Sequence, residues 1–236
     1  TIRHAGVDVG LGSFAAITYS DGSREKIDNP RFVRKQARKL RHAQKHLSRK
    51  QGPDRRTGQK ASQGWKKQQA KVARLHANVG HARQDFARKL AHRLASENTT
   101  IAIESLNIRG LARSGGKRAQ GRGLRKSVHD VAWGAFFASL AHAANGRVIP
   151  VDPAYTSQTC AVCGLLDGPK PLKVREWKCG RCGAVLDRDW NAAVNIMLAA
   201  GQAESLSAGG GSIRLQLAEA APRETGTRWS DLGVAA

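Results

Sequence analysis

Four cysteines and three separated acids are the residues of this chain best suited to hold metal ions. Cys160-x-x-Cys163 and Cys179-x-x-Cys182 account for every cysteine, with fifteen residues between the pairs. That is the spacing of a zinc ribbon closed by four thiolates. A glycine follows Cys163, Cys179 and Cys182, where the backbone must turn beneath the sulfurs. Two disulfides or four unrelated buried cysteines are the alternatives, and no secretory signal supports them. Such a ribbon leaves no open coordination position, so one zinc there would hold structure and do no chemistry.

Asp8, Glu104 and Asp189 carry the second possibility. Asp8 closes an apolar run, His4 to Val9, beside the turn Gly10-Leu11-Gly12. Aspartate is depleted in strands, so its position needs a reason, and capping the turn is the plain one. Glu104 ends the run Thr100-Ile101-Ala102-Ile103. Asp189 falls in the first turn of a helix for which Asp187 is the natural N-cap, and dipole compensation would account for both. Taken together, three carboxylates meeting at one sheet end would make a hard-oxygen site for two Mg²⁺ or Mn²⁺ ions. Two such ions clamp the attacking and leaving oxygens of an in-line phosphodiester displacement.

The elements that must position these acids follow from periodicity. His4 to Val9, Ser13 to Tyr19 and Arg24 to Ile27 are predicted strands, the last two joined by the hairpin signal Asp21-Gly22. Thr100 to Glu104 and Arg147 to Val151 are the fourth and fifth. Between strands three and four, Val33, Ala37, Leu40 and Leu47 mark one thin helical stripe. Val72, Leu75, Val79, Phe86, Leu90 and Leu94 mark a longer one. Gly52-Pro53, Thr57-Gly58 and Ser62-Gln63-Gly64 interrupt them, giving a helical hairpin with a mobile tip. Asn107 to Arg125 is glycine-rich and basic, and predicts a mobile loop able to act as a lid. Ser127 to Ala144 predicts one helix with Val131, Ala135, Phe136, Leu140 and Ala143 inward, and Ile213 to Ala221 a weak one. In the helix after the ribbon, Trp190, Val194, Met197 and Leu198 form the expected buried stripe.

Charge narrows the partners. The 236 residues carry a formal charge of +22 and a pI near 10.9, a field that attracts polyanions, nucleic acid first. An anionic membrane is the alternative, but no apolar run approaches a membrane span and the basic helices carry little bulky apolar surface. From Arg31 to Arg74 sixteen lysines and arginines face a single acid, Asp54. A solvated helix face normally mixes signs, and one sign repels itself unless a polyanion lies alongside. Arg31, Arg34, Lys35, Arg38, Arg41, Lys45 and Arg49 on the first helix are the candidate nucleic-acid contacts, with Lys66, Lys67, Lys71 and Arg74 on the second.

Three segments resemble the RuvC motifs of the transposon-encoded TnpB nucleases and their relatives, the miniature type V CRISPR effectors. They are Gly6-Val7-Asp8-Val9-Gly10, Ile103-Glu104-Ser105-Leu106-Asn107, and Asp187-Arg188-Asp189-x-Asn191-Ala192-Ala193-x-Asn195-Ile196. Pro153-x-Tyr155-Thr156-Ser157-Gln158-Thr159-Cys160 and Val131-Ala132-Trp133-Gly134-x-Phe136 match as well. The resemblance implies an α/β, ribonuclease-H-like fold: a mixed five-stranded sheet with flanking helices, a basic hairpin insertion and a four-cysteine zinc ribbon. It implies Asp8, Glu104 and Asp189 as the catalytic magnesium ligands, with Cys160, Cys163, Cys179 and Cys182 on zinc. On that layout residues 1–30 and 99–159 are the first two nuclease parts, separated by the hairpin 31–98. The ribbon 160–182, the third nuclease part 183–200 and a tail 201–236 follow.

Guide RNA and target DNA, paired as a heteroduplex, are the partners the resemblance implies, with sequence choice delegated to base pairing. The family's wedge and recognition domains precede the first acid, whereas seven residues do so here. They are therefore expected upstream of Thr1 or on another chain. A non-cleaving RNA-guided regulator and a stand-alone RuvC-type junction resolvase are the alternatives. All three acids are present, which favours an enzyme over the regulator, and a resolvase needs neither ribbon nor basic hairpin. A cytoplasmic protein, at the nucleoid when acting, is the expected setting.

Overall fold

A computed structural model describes residues 2–113, 119–171 and 173–201. Its centre is a five-stranded mixed sheet in the order β3-β2-β1-β4-β5. The strands are β1 (His4–Val9), β2 (Ser13–Tyr19), β3 (Arg24–Asp28), β4 (Thr100–Glu104) and β5 (Val148–Val151). β1, β2 and β3 form an antiparallel meander, and β4 and β5 add in parallel to β1. The excursion from β3 to β4 consists of α1 (Phe32–Ser48) and α2 (Gln63–Glu97). Next come α3 (Ile108–Arg113), α4 (Ala119–Val131) and α5 (Trp133–Ala144). β6 (Glu176–Lys178) and β7 (Val185–Asp187) form a separate antiparallel pair before α6 (Arg188–Ala199).

Strand alternation assigns the two faces. Ala5, Val7 and Val9 join Ile101 and Ile103 in one core with α2 and α5, including Leu90, Leu94, Phe136 and Leu140. The intervening positions turn to the other face, where Ala102 and Val151 pack on Ile196 of α6. Gly6 is what lets α6 lie there. A Cβ at that position would stand 2.2 Å from the Ala193 carbonyl oxygen and 2.7 Å from Met197 Cβ.

The helical expectations need four revisions. Asn107 to Arg125 is mostly helical where a loop was expected, with residues 114–118 outside the described set. The Asn107 Oδ1 atom accepts from the Gly110 amide at 2.7 Å and starts α3, and Gly110 leaves room for that side chain. The single helix expected over Ser127 to Ala144 is two, broken at Ala132, whose φ is 57°. Val128 and Val131 face the core, then Trp133, Phe136, Phe137 and Leu140. A step of two residues cannot stay on one helical face, so a left-handed residue resets the phase. The hairpin tip is pinned by hydrogen bonds, with Asp54 bridged to Gln59 and the Gln59 side-chain amide donating to Gly52 at 2.7 Å. Ser62 caps α2, so Gln63 and Gly64 form its first turn instead of breaking it. Finally, α6 buries Ala192, Ala193, Val194, Ile196 and Met197, while Trp190 and Leu198 are only half-buried. The helix expected over Ile213 to Ala221, and all of the tail after Gly201, lie outside the described residues.

Candidate active site

Asp8 and Glu104 come together through register. β1 and β4 run parallel with Val7 opposite Ile103, so the next step along both strands sets Asp8 beside Glu104. Both alternate onto the face that α6 covers. Adjacent strands lie roughly 4.8 Å apart, so two carboxylates here repel strongly. Burial pushes the Asp8 carboxyl well above the usual range, and the charges of Glu104 and Asp189 push it further. Arg188 and Lys26 pull the other way without cancelling the effect. Burial also raises Glu104, opposed by a hydrogen bond from the Thr156 hydroxyl to Glu104 Oε1 at 2.5 Å.

Asp189 is brought in by α6. Asp187 caps that helix, its Oδ1 accepting from the amides of Asp189 and Trp190 at 3.0 Å each. The Lys26 Nζ of β3 donates to Asp187 Oδ2 at 2.7 Å and stands 3.6 Å from Asp189 Oδ2. Arg175 approaches Asp189 Oδ1 from the other side at 3.4 Å. Burial alone would raise Asp187, but Lys26 and the two capping amides hold it below its ordinary value.

Sequence reasoning missed Lys26 and Arg175, and quoted Thr156 within a matched motif without giving it a role. It likewise quoted Asn191 and Asn195 in the third motif without a role; they clamp the ribbon root onto α6. Their side-chain amides donate to the Thr159 carbonyl at 2.8 Å and 2.7 Å, and the Asn191 Oδ1 atom accepts from Ala161 at 2.9 Å. Their i, i+4 spacing on one helix face was the available signal.

The four cysteines form one cluster, with all four sulfurs within 4.8 Å of one another. Cys160 and Cys182 sulfurs lie 3.8 Å apart, and those of Cys163 and Cys179 lie 3.6 Å apart. Tetrahedral thiolates on zinc at about 2.3 Å stand about 3.8 Å apart, whereas a disulfide needs about 2.0 Å. The cluster fits the ion. The two knuckles repeat one pattern: Gly164 donates to the Cys160 carbonyl at 2.8 Å and Gly183 to that of Cys179 at 3.0 Å. Both glycines have φ near 70°. Burial pushes Cys160 up to about 12. Burial also opposes ionisation of Cys179, yet the Cys182 and Arg181 amides bring that thiol down to about 7. The hairpin β6–β7 carries the second knuckle and runs directly into Asp187, so the ribbon and the third acid share one frame. Among the described residues the three acids do not close into a second tight cluster. They fit hard cations by donor type, and by a buried Asp8 carboxyl that the charges of Glu104 and Asp189 raise further.

All eleven basic residues picked out on the hairpin are exposed. Residues 63–78 of α2 bury no side chain, while Val79, Leu90 and Leu94 anchor its second half in the core. A cleft between α1 and α4, lined by Arg31, Arg34, Arg83 and Lys126, extends this surface toward the sheet. Asp130 sits at its base, accepting from the Val33 amide at 2.9 Å and pairing with Arg83 at 3.0 Å. No described helix is long and apolar enough to cross a membrane.

Comparison with known proteins gives two family matches, a "Probable transposase" family over residues 1–115 and a "Cas12f1-like, TNB domain" family over residues 133–196. A Streptomyces pristinaespiralis protein named "Putative RNA-guided DNA endonuclease" is 41% identical over 209 residues, 87% of this chain and 47% of its own length. InsQ of Escherichia coli K12, which carries the same description, is 33% identical over 84% of this chain and 49% of its own. The chain thus spans about half the length of these curated relatives. Among solved structures, a Cas12f1–sgRNA–target DNA complex shares the fold with a TM-score of 0.52 at 19% identity. That match covers 81% of this chain and 48% of the other.

Proposed function

Because this chain belongs to the TnpB family of transposon-encoded RNA-guided nucleases and miniature type V CRISPR effectors, we propose that it is the DNA-cleaving module of such an enzyme. The observation that carries this reading is the pair Asp8 and Glu104 on adjacent parallel strands, with the charge of Asp189 reaching Asp8 from α6. Asp8, Glu104 and Asp189 would hold two Mg²⁺ or Mn²⁺ ions, which supply an activated water and neutralise the scissile phosphate when bound. The protein's part is positioning. Thr156 fixes the Glu104 carboxylate, Asp187 fixes the first turn of α6, and Lys26 and Arg175 balance Asp189 until substrate and ions arrive. Incubating the full-length protein and its guide RNA with matched duplex and Mg²⁺ tests the reading. Cut products are expected; stable binding with no product would favour the non-cleaving regulator instead.

The hairpin is proposed to follow the backbone of a guide–target heteroduplex. Replacing Arg34, Arg38, Arg41 and Lys45 with glutamine removes four charges and keeps helix propensity. Each phosphate contact contributes roughly −0.9 to the slope of log K against log salt. The quadruple variant should bind all sequences more weakly, with a slope about three to four units shallower. An unchanged slope would make these charges a solvated face.

The cysteine cluster is proposed to hold one structural zinc. Elemental analysis should return about one zinc per chain. Cys179→Ser should release it and loosen α6, because the knuckle and the Asp187 cap lie on one hairpin. Uptake should strengthen as pH rises, since binding must strip a proton that burial holds on Cys160 up to about 12. Zinc-free protein with undiminished cleavage would show the cluster to be dispensable.

A further inference from the structure

Tyr155 combines three features that its surroundings do not explain. Its φ is 64°, in the left-handed region that bulky side chains avoid. The residue is nevertheless 57% exposed, so no packing accounts for the strained backbone. Among the described residues neither ring nor hydroxyl makes a hydrogen bond, ring contact or cation contact. The conformation is enforced from the C-terminal side, where the Gln158 and Thr159 amides both donate to the Tyr155 carbonyl at 2.9 Å. Glycine or asparagine would meet that turn at lower cost.

The location supplies the reason. The next residue, Thr156, is buried and bonds Glu104, while its carbonyl accepts from Asn195 at 2.7 Å. The turn therefore pins one residue to the acid site and leaves the tyrosine next to it in the chain exposed. The chain as a whole carries a formal charge of +22, which draws nucleic acid to it. Exposed aromatic rings on basic proteins bind single-stranded nucleic acid by stacking on bases, a contact that tolerates any sequence.

We infer that Tyr155 is a base-stacking residue, presenting its ring to a nucleobase next to the phosphate that approaches Asp8 and Glu104. This inference rests on the nuclease reading above. It adds a contact that fixes the strand's register across the site.

Photocrosslinking tests it without needing cleavage. Single-stranded DNA carrying 5-iododeoxyuridine is irradiated with the full chain bearing Asp8→Ala, and the adducts are mapped by mass spectrometry. An adduct at Tyr155 is expected, retained in Tyr155→Phe and lost in Tyr155→Gly. Loss of one stacked base should weaken binding across the site roughly five- to 150-fold. Tyr155→Gly should leave the melting temperature unchanged or higher, because glycine relieves the left-handed backbone. Adducts confined to the hairpin 31–74 would overturn the inference, as would a lower melting temperature in Tyr155→Gly, which marks a packing role. An adduct at Tyr155 in a protein whose unmutated form never cuts DNA would sink the nuclease reading and leave the stacking contact. Cleavage without the adduct would do the reverse.

Discussion

Asp8→Asn is expected to abolish DNA cleavage and, in the same protein, to raise thermal stability in Mg²⁺-free buffer at neutral pH. On the proposed reading the first effect follows from losing a ligand to metal ions that would contribute several kcal/mol of transition-state stabilisation, so roughly a 10³-fold loss of rate or more. The second follows from the site's electrostatics. Burial and the charges of Glu104 and Asp189 raise the Asp8 carboxyl well above its ordinary value. A carboxyl with a raised folded-state value binds its proton more tightly in the folded chain than in the unfolded one. It therefore costs stability as pH rises above the unfolded value, and the full cost is present above the folded value. Asparagine keeps the shape and removes the charge. The advantage of Asp8→Asn should be largest at neutral pH and vanish in acid, where the wild-type carboxyl is also neutral. Each kcal/mol recovered should appear as about 2–4 °C in Tm for a chain of this size.

Asp187 should behave in the opposite way, which separates site electrostatics from a general effect of removing acids. Its carboxyl is held low by Lys26 and by the capping amides against the effect of burial. A lowered value contributes stability above the unfolded value, lost as pH falls through the folded one. Asp187→Ala should thus cost about 0.5–2 kcal/mol at neutral pH, the usual range for a lost N-cap. Thermal melts of both variants across pH would show curves diverging from wild type in opposite directions. If Asp8→Asn instead lowered Tm at neutral pH, Asp8 would be paired in the folded state, and the reading of an uncompensated anionic site would fail.

The sheet and the cysteine cluster were legible because their signals are local. Alternating runs mark strands, Asp21-Gly22 marks the hairpin, and Cys-x-x-Cys pairs mark the knuckles whatever surrounds them. The helical regions between Asn107 and Ala144 were less legible for a physical reason. Gly110, Gly121 and Gly123 suggest a loop by composition, but Gly110 serves a helix start by leaving space for Asn107. The break at Ala132 has no local signature, because alanine favours helix, and only packing of Trp133 and Phe136 against the sheet demands it. The roles of Lys26 and Thr156 are similarly silent in sequence, although Thr156 falls within a matched motif. One is a lysine on an edge strand and the other a threonine in a turn, and each gains a role only when α6 and β4 arrive beside it.

Gly6 shows how a residue that carries no chemistry can still govern the acid site. It lies two residues before Asp8 on the same sheet face, under the closest approach of α6. An alanine methyl would come within 2.2 Å of the Ala193 carbonyl oxygen, a backbone atom that cannot swing aside. The helix must therefore lift or slide from the sheet. Overpacking of this kind costs typically 1–3 kcal/mol, occasionally more. Gly6→Ala should lower Tm by roughly 2–12 °C on that scale. Moving α6 also moves Asp189 relative to Asp8 and Glu104, and catalysis is sensitive to displacements of about 1 Å, which cost up to 100-fold. Gly6→Ala should consequently lose both stability and cleavage, whereas Asp8→Asn loses cleavage and gains stability. Retention of the proposed zinc separates a local shift from general unfolding, since the four cysteines lie on the ribbon and not on the sheet. A Gly6→Ala protein that keeps its zinc, melts lower and cuts slowly would place the damage at the α6–β1 contact. Full activity with an unchanged Tm would mean that α6 does not hold Asp189 against the sheet in the way the Gly6 contact requires.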